Sequence, residues 1–145
     1  MATIPEDPGT YVLILHLERP AIVQIGRLGR FPFPAGWYAY AGSARGPGGL
    51  AARLSRHLRA AKRRHWHVDY LRAHARPVEI WYATGAEQRE CAWAAAVSAL
   101  PGGSIPAPRF GASDCRCETH LVHFGSPPEP DAFEGAVGPV SVHRA

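Results

Sequence analysis

Gly36-Trp37-Tyr38-Ala39-Tyr40-Ala41-Gly42-Ser43, followed by the helix-like run Gly49-Leu50-Ala51-Ala52-Arg53-Leu54-Ser55-Arg56-His57-Leu58-Arg59, decides how this chain folds. The first stretch is aromatic, and Tyr38 and Tyr40 share a parity, so it reads as a strand with both phenols on one sheet face. In the second the period changes. Leu50, Leu54 and Leu58 recur every fourth residue and mark one stripe of an amphipathic helix, with Arg53 and His57 in a second stripe beside it.

Upstream, Tyr11 to Leu17 is an apolar run broken only by His16. Glu18-Arg19-Pro20 supplies a turn before a second run, Ala21 to Ile25, so the two runs read as an early β-hairpin. Downstream, Val68-Asp69-Tyr70-Leu71 starts a short helix and Val78 to Tyr82 is another strand. Thr84-Gly85-Ala86-Glu87 has the spacing of a capping box, opening a helix that runs to about Ala99. Thr119 to Phe124 adds an edge strand. Strands so close in sequence pair antiparallel, and the expected fold is α+β: a small, mainly antiparallel sheet flanked by helices. Residues 1–124 form the domain. Residues 125–145, rich in Pro and Gly, carry Glu129, Asp131 and Glu134, show no periodicity and read as a flexible acidic tail.

Charge is distributed unevenly. Between Arg19 and Val68 there is no Asp or Glu, yet ten of the chain's 16 Lys and Arg residues lie there, so the local charge far exceeds the net +4. A polyanion is the natural partner. No apolar segment is long enough to span a bilayer, and the N-terminus lacks the basic start and apolar run of a secretory signal. Three cysteines are an odd number, and Cys115 and Cys117 are too close in sequence to suggest a disulfide framework. A cytoplasmic protein with reduced thiols is expected.

Several side chains offer chemistry. Glu90 has Trp93, Ala94 and Val97 at i+3, i+4 and i+7, so it starts the face a helix buries; there it serves either an ion pair or a metal. Arg53 and His57, one turn apart, point at one region. The guanidinium suits a phosphate oxygen and the imidazole a proton relay near neutral pH. Arg45, Arg56, Arg59, Lys62, Arg63 and Arg64 suit electrostatic tracking of a nucleic-acid backbone. Tyrosines at Tyr11 and Tyr40 act as bases only if nearby cations stabilise the phenolate, which the acid-free surroundings would do. Separately, Cys115-Arg116-Cys117-Glu118-Thr119-His120, with His65-Trp66-His67 upstream, contains enough thiolate and imidazole for a four-ligand zinc site built around Cys115, Cys117, His65 and His67, without the usual knuckle spacing.

In order and context, Gly9-Thr10-Tyr11, Tyr40-Ala41-Gly42, Arg53 with His57, and Glu90 resemble the GIY-YIG nuclease superfamily. The blocks Ala35 to Ala44, His65 to Leu71, Glu90-Cys91 and Gly111 to Leu121 look most like a branch of that superfamily sometimes appended to a DNA-repair glycosylase. The resemblance implies a three-stranded antiparallel sheet with flanking helices and DNA cleavage with one divalent metal, Mg²⁺ or Mn²⁺, in repair, recombination or defence. It implies Glu90 as metal ligand, Arg53 as phosphate stabiliser, Tyr11 and Tyr40 as the motif tyrosines, one of them the general base, and His57 as their assistant. Two departures stand out. The segment Ala21 to Pro34 lengthens the separation between the tyrosine motifs, which an extra hairpin would explain, and Thr10 and Ala41 replace the motif isoleucines. A nucleic-acid-binding module without catalysis and a zinc-stabilised interaction module are the alternatives.

Overall fold

The computed structural model describes residues 3–59, 64 and 66–145. Its elements are β1 (Gly9–Leu17), β2 (Ala21–Ile25), β3 (Gly29–Phe33), β4 (Gly36–Ala44), α1 (Gly49–Leu58), α2 (His67–Arg72), β5 (Arg76–Thr84), α3 (Glu90–Ser98), β6 (Leu121–Phe124), α4 (Pro130–Val137) and β7 (Ser141–Arg144). Five strands form one antiparallel sheet in the order β6-β4-β1-β5-β7, and β2 and β3 form a separate two-stranded sheet. The α+β class read from the sequence is the observed one.

The expected hairpin between Tyr11–Leu17 and Ala21–Ile25 does not form. β1 instead takes β4 on one edge, in continuous register from Gly9↔Ala44 to Leu17↔Gly36, and β5 on the other. The physical reason is length. A nine-residue strand satisfies its whole backbone against the nine residues of β4, whereas β2 has five and pairs with β3 through Ala21↔Phe33 to Ile25↔Gly29. The inserted hairpin packs Val23, Ile25 and Phe33 into the core. It therefore lengthens the chain between the two tyrosine motifs without separating them in space.

Alternation along β1 divides the core in two. Tyr11, Leu13, Leu15 and Leu17 face Leu50 and Leu54 of α1, Val68 and Leu71 of α2, and the hairpin. Val12 and Ile14 face the opposite way, with Ala39, Ala41, Trp81, Trp93 and Phe133. Ala41 is thus a packing position.

Two further expectations need correction. The capping box at Thr84 is not made: Thr84 pairs with Gly9 in the β1–β5 ladder, and α3 begins only at Glu90, with no side-chain cap. Ladder pairing outcompetes the local signal. Residues 125–145 are not a structureless tail either. α4 buries Phe133 fully against the rings of Trp81 and Trp93, with centroids 5.3 and 5.0 Å away, and β7 adds to the sheet beside β5. The Pro and Gly content that suggested flexibility marks the ends of a helix, with Pro130 in its first turn and Gly138 after its last.

One buried cation ties the end of α1 to α2 and the turn that follows it. Arg72 of α2 donates from Nε to the carbonyl of His57, from Nη2 to that of Leu58 and from Nη1 to that of Ala75, at 2.9, 3.0 and 3.1 Å. It satisfies the open carbonyls at the end of α1, where a positive charge also complements the helix dipole.

Candidate functional site

Tyr11 lies on the central strand with its hydroxyl 2.7 Å from Nε2 of His57, and both side chains are buried. The hydroxyl donates when that nitrogen is unprotonated. Tyr40, on the neighbouring strand and the same face, packs its ring 6.5 Å from that of Tyr11 and 6.4 Å from that of His57. The glycine after Ala41 is explained by this packing. Gly42 sits opposite Tyr11 in the ladder, and a Cβ there would lie 2.6 Å from the Tyr11 hydroxyl.

Arg53 donates from Nη1 to the carbonyl of Ser43 at 2.8 Å, and its guanidinium lies 4.2 Å from the centre of the Trp66 ring. Glu90 comes from α3. Its Oε1 is 3.5 Å from the Ser43 hydroxyl and its Oε2 is 3.6 Å from Nδ1 of His120, with about a third of the side chain exposed at 34%. As the first residue of a helix, it sits where a carboxylate is favoured by the unsatisfied amides. Tyr11, Tyr40, Arg53 and His57 are thus gathered into one group, and Ser43 links its Arg53 side to Glu90. The helical face inferred from Trp93, Ala94 and Val97 is the buried one.

The electrostatics differ from the expectation. Burial pushes the Tyr11 phenol well above its ordinary range; Arg53 pulls it down, while Glu90 and Asp69 push it further up. Burial, then the adjacent Tyr11 and Glu90, push Tyr40 the same way against Arg53. A cation field that stabilises a phenolate is therefore not what these tyrosines experience: desolvation outweighs Arg53, and both are held neutral.

Among the candidate nucleic-acid contacts, Arg56 serves the fold. It pairs with the buried Asp69 at 2.9 Å and lies over Trp66 at 4.3 Å, while the other Asp69 oxygen accepts the Trp66 amide at 2.8 Å. Arg45 is exposed and donates to the carbonyl of Ala86 at 3.0 Å. Arg59 and Arg64 are exposed, whereas Lys62 and Arg63 lie outside the described residues.

A second constellation adjoins the first. The ligand atoms of Cys91, Cys115, Cys117 and His120 all lie within 4.8 Å of one another. Cys115 Sγ is 3.3 Å and Cys91 Sγ 4.0 Å from Nε2 of His120, whose Nδ1 faces the carbonyl of Ala41 at 3.2 Å. Burial pushes the Cys117 thiol up to about 12, with Cys91 and Cys115 adding to it, and burial lowers His120. Of the constellation expected from the sequence, Cys115, Cys117 and His120 come together, and the fourth donor is Cys91. Of the histidines expected there, His65 lies outside the described residues, and His67 accepts the Gly111 amide at Nδ1, 2.8 Å away. A cleft of about 360 Å³ lies beside the second group, lined by Ser43, Gln88, Glu90, Asp114, Cys115 and His120 among others; Ser43, whose carbonyl accepts from Arg53, is its link to the first.

Residues 10–137 match a protein family described as a domain of unknown function, DUF123. The chain belongs to the DUF123 family. No curated protein and no solved structure matches it. In this DUF123 chain Gly111, Asp114, Cys115 and His120, all from the block Gly111 to Leu121, form one wall of the cleft. Gly111 has φ +70°, and a Cβ there would lie 2.8 Å from the Tyr40 ring, so only glycine lets the loop close on the tyrosine. Sequence reasoning missed Cys91 and Arg109. A signal for Cys91 existed: three cysteines and His120 make one complete four-donor set.

Proposed function

We propose that this DUF123 protein is a metal-dependent endonuclease that hydrolyses phosphodiester bonds in DNA. The observation that carries the reading is the Tyr11–His57 hydrogen bond of 2.7 Å within the group that also holds Tyr40 and Arg53, with Glu90 on the adjoining cleft. Arg53 holds a non-bridging phosphate oxygen and stabilises the charge that builds there. Tyr11 is neutral at rest; as water attacks the phosphorus, the Tyr11 oxygen accepts the water proton while passing its own to His57 Nε2, and the imidazolium returns a proton to the leaving alkoxide, so the phenol acts as a base only as one half of a phenol–imidazole pair. Glu90 is the hard oxygen donor of the site, with Asp114 on the same cleft, a donor set suited to Mg²⁺ or Mn²⁺ held through one or two carboxylates. Such an ion, when bound, polarises the phosphate and eases departure of the alkoxide. Exposed Arg45, Arg59 and Arg64 supply salt-sensitive attraction to the backbone. Among the described residues no helix is long and apolar enough to cross a membrane, and the free thiols fit a cytoplasmic setting.

The test is incubation of the purified protein with supercoiled plasmid and with a branched DNA in Mg²⁺, Mn²⁺ or EDTA, beside Glu90→Gln and Arg53→Ala. Metal-dependent cutting that falls at least about a hundredfold in both variants supports the assignment, a loss in the range of a removed electrostatic stabiliser. Cutting retained in either variant removes that residue from the site.

A second reading has its own observation: the tyrosines are held neutral and Arg53 and Arg56 are engaged within the fold. A binding module without catalysis would bind DNA with steep salt dependence and cut none of the substrates in either metal.

A further inference from the structure

We infer that Cys91, Cys115, Cys117 and His120 bind one zinc ion that staples the loop of residues 106–120 to the first turn of α3. Tetrahedral zinc with sulfur at about 2.3 Å and nitrogen at about 2.0–2.1 Å sets its ligand atoms roughly 3.5–3.8 Å apart. The separations of 3.3 and 4.0 Å from His120 Nε2 to two sulfurs bracket that range, and all four donors fall inside 4.8 Å. Three thiolates and an imidazole select zinc over the hard cations that take oxygen.

The surroundings are built for this arrangement. The Ala41 carbonyl accepts from His120 Nδ1, with Glu90 Oε2 on the same nitrogen at 3.6 Å; this fixes the tautomer that leaves the Nε2 lone pair for a metal. The His120 backbone is strapped at both polar atoms, its carbonyl to the Ala41 amide at 2.9 Å and its amide to the Phe110 carbonyl at 2.8 Å. Arg109 gathers the loop. Its guanidinium donates to the carbonyls of Ala112, Cys115 and Cys117 at 2.6 to 2.7 Å, and its amide to that of Glu118 at 2.7 Å, which brings both cysteines to one side. No helix or strand spans residues 106–120, so a metal supplies a cross-link that the local backbone lacks. Cys91 is the residue after Glu90, so the ion also pins the turn that presents that carboxylate. The assignment does not depend on the nuclease reading.

The experiment measures metal in the full-length protein purified without chelator, then replaces it with Co²⁺ and records the visible spectrum. One zinc per chain and a tetrahedral cobalt spectrum with thiolate charge transfer are expected, together with loss of both in Cys115→Ser and Cys117→Ser. His67→Asn should keep the ion, and the wild-type cobalt spectrum stands even if a cysteine variant folds poorly. Protein without zinc that develops no thiolate–cobalt absorption overturns the inference. So does zinc retained in full by Cys117→Ser, or a Cys91 disulfide as the state of the purified chain.

Discussion

At the scale of single residues, the motif glycines and charged side chains are governed by close approach. Gly42 is where it is because the Tyr11 hydroxyl occupies the space of its missing Cβ, 2.6 Å away. Gly42→Ala must displace Tyr11 from His57. The expected result is a stability loss of about 1–3 kcal/mol, typical of overpacking, together with loss of any Tyr11-dependent activity. Chemical denaturation of the variant beside wild type checks it; an unchanged midpoint would mean that the ladder yields at no cost. Arg56 teaches the opposite lesson about charge. Its acid-free stretch puts it with the nucleic-acid contacts, yet Asp69, one residue beyond that stretch, neutralises it in three dimensions.

Among the elements, pattern was reliable where a face is periodic and unreliable where pairing partners compete. The leucine stripe of α1, the common face of Tyr38 and Tyr40, and the buried face beginning after Glu90 were all legible, because each follows from backbone geometry repeated along a few residues. The partner of β1 was not. Pairing with β4 and β5 spans the inserted hairpin and α1–α2, and only the assembled sheet shows that these longer strands satisfy more backbone than a local hairpin does. α4 was missed because eight residues with a single large anchor carry little periodic signal. Phe133→Ala removes that anchor and should cost about 3–5 kcal/mol, the range for deleting a fully buried aromatic. Thermal unfolding monitored by tryptophan fluorescence reports it directly through Trp81 and Trp93. A shift near zero would restore residues 125–145 to the status of a loose tail.

For the whole molecule, three of the chain's five tyrosines lie in surroundings that disfavour the phenolate: Tyr11, Tyr38 and Tyr40 are all raised, chiefly by desolvation. A raised phenol in the folded state means that the unfolded chain loses its protons first. The associated stability is complete below the unfolded value of about 10 and drains away as pH rises through it toward the folded values. Phenolate absorbance followed with pH should therefore leave these three silent near pH ~10 and then rise together with unfolding. Full titration of all tyrosines before the protein unfolds would contradict the burial.

The amino-acid sequence by itself determined the α+β class, the order of most strands and helices, the basic middle of the chain and the residues worth testing, because these depend on neighbours a few positions apart. Only the tertiary structure decided that Tyr11 meets His57, that Arg72 closes the end of α1, and that Cys91 completes a donor set with Cys115, Cys117 and His120. Those contacts join positions 14 to 46 residues apart, or bring a loop back onto a helix. Which of them form is settled by strand pairing and by the packing of two faces against one sheet, quantities that local spacing does not encode.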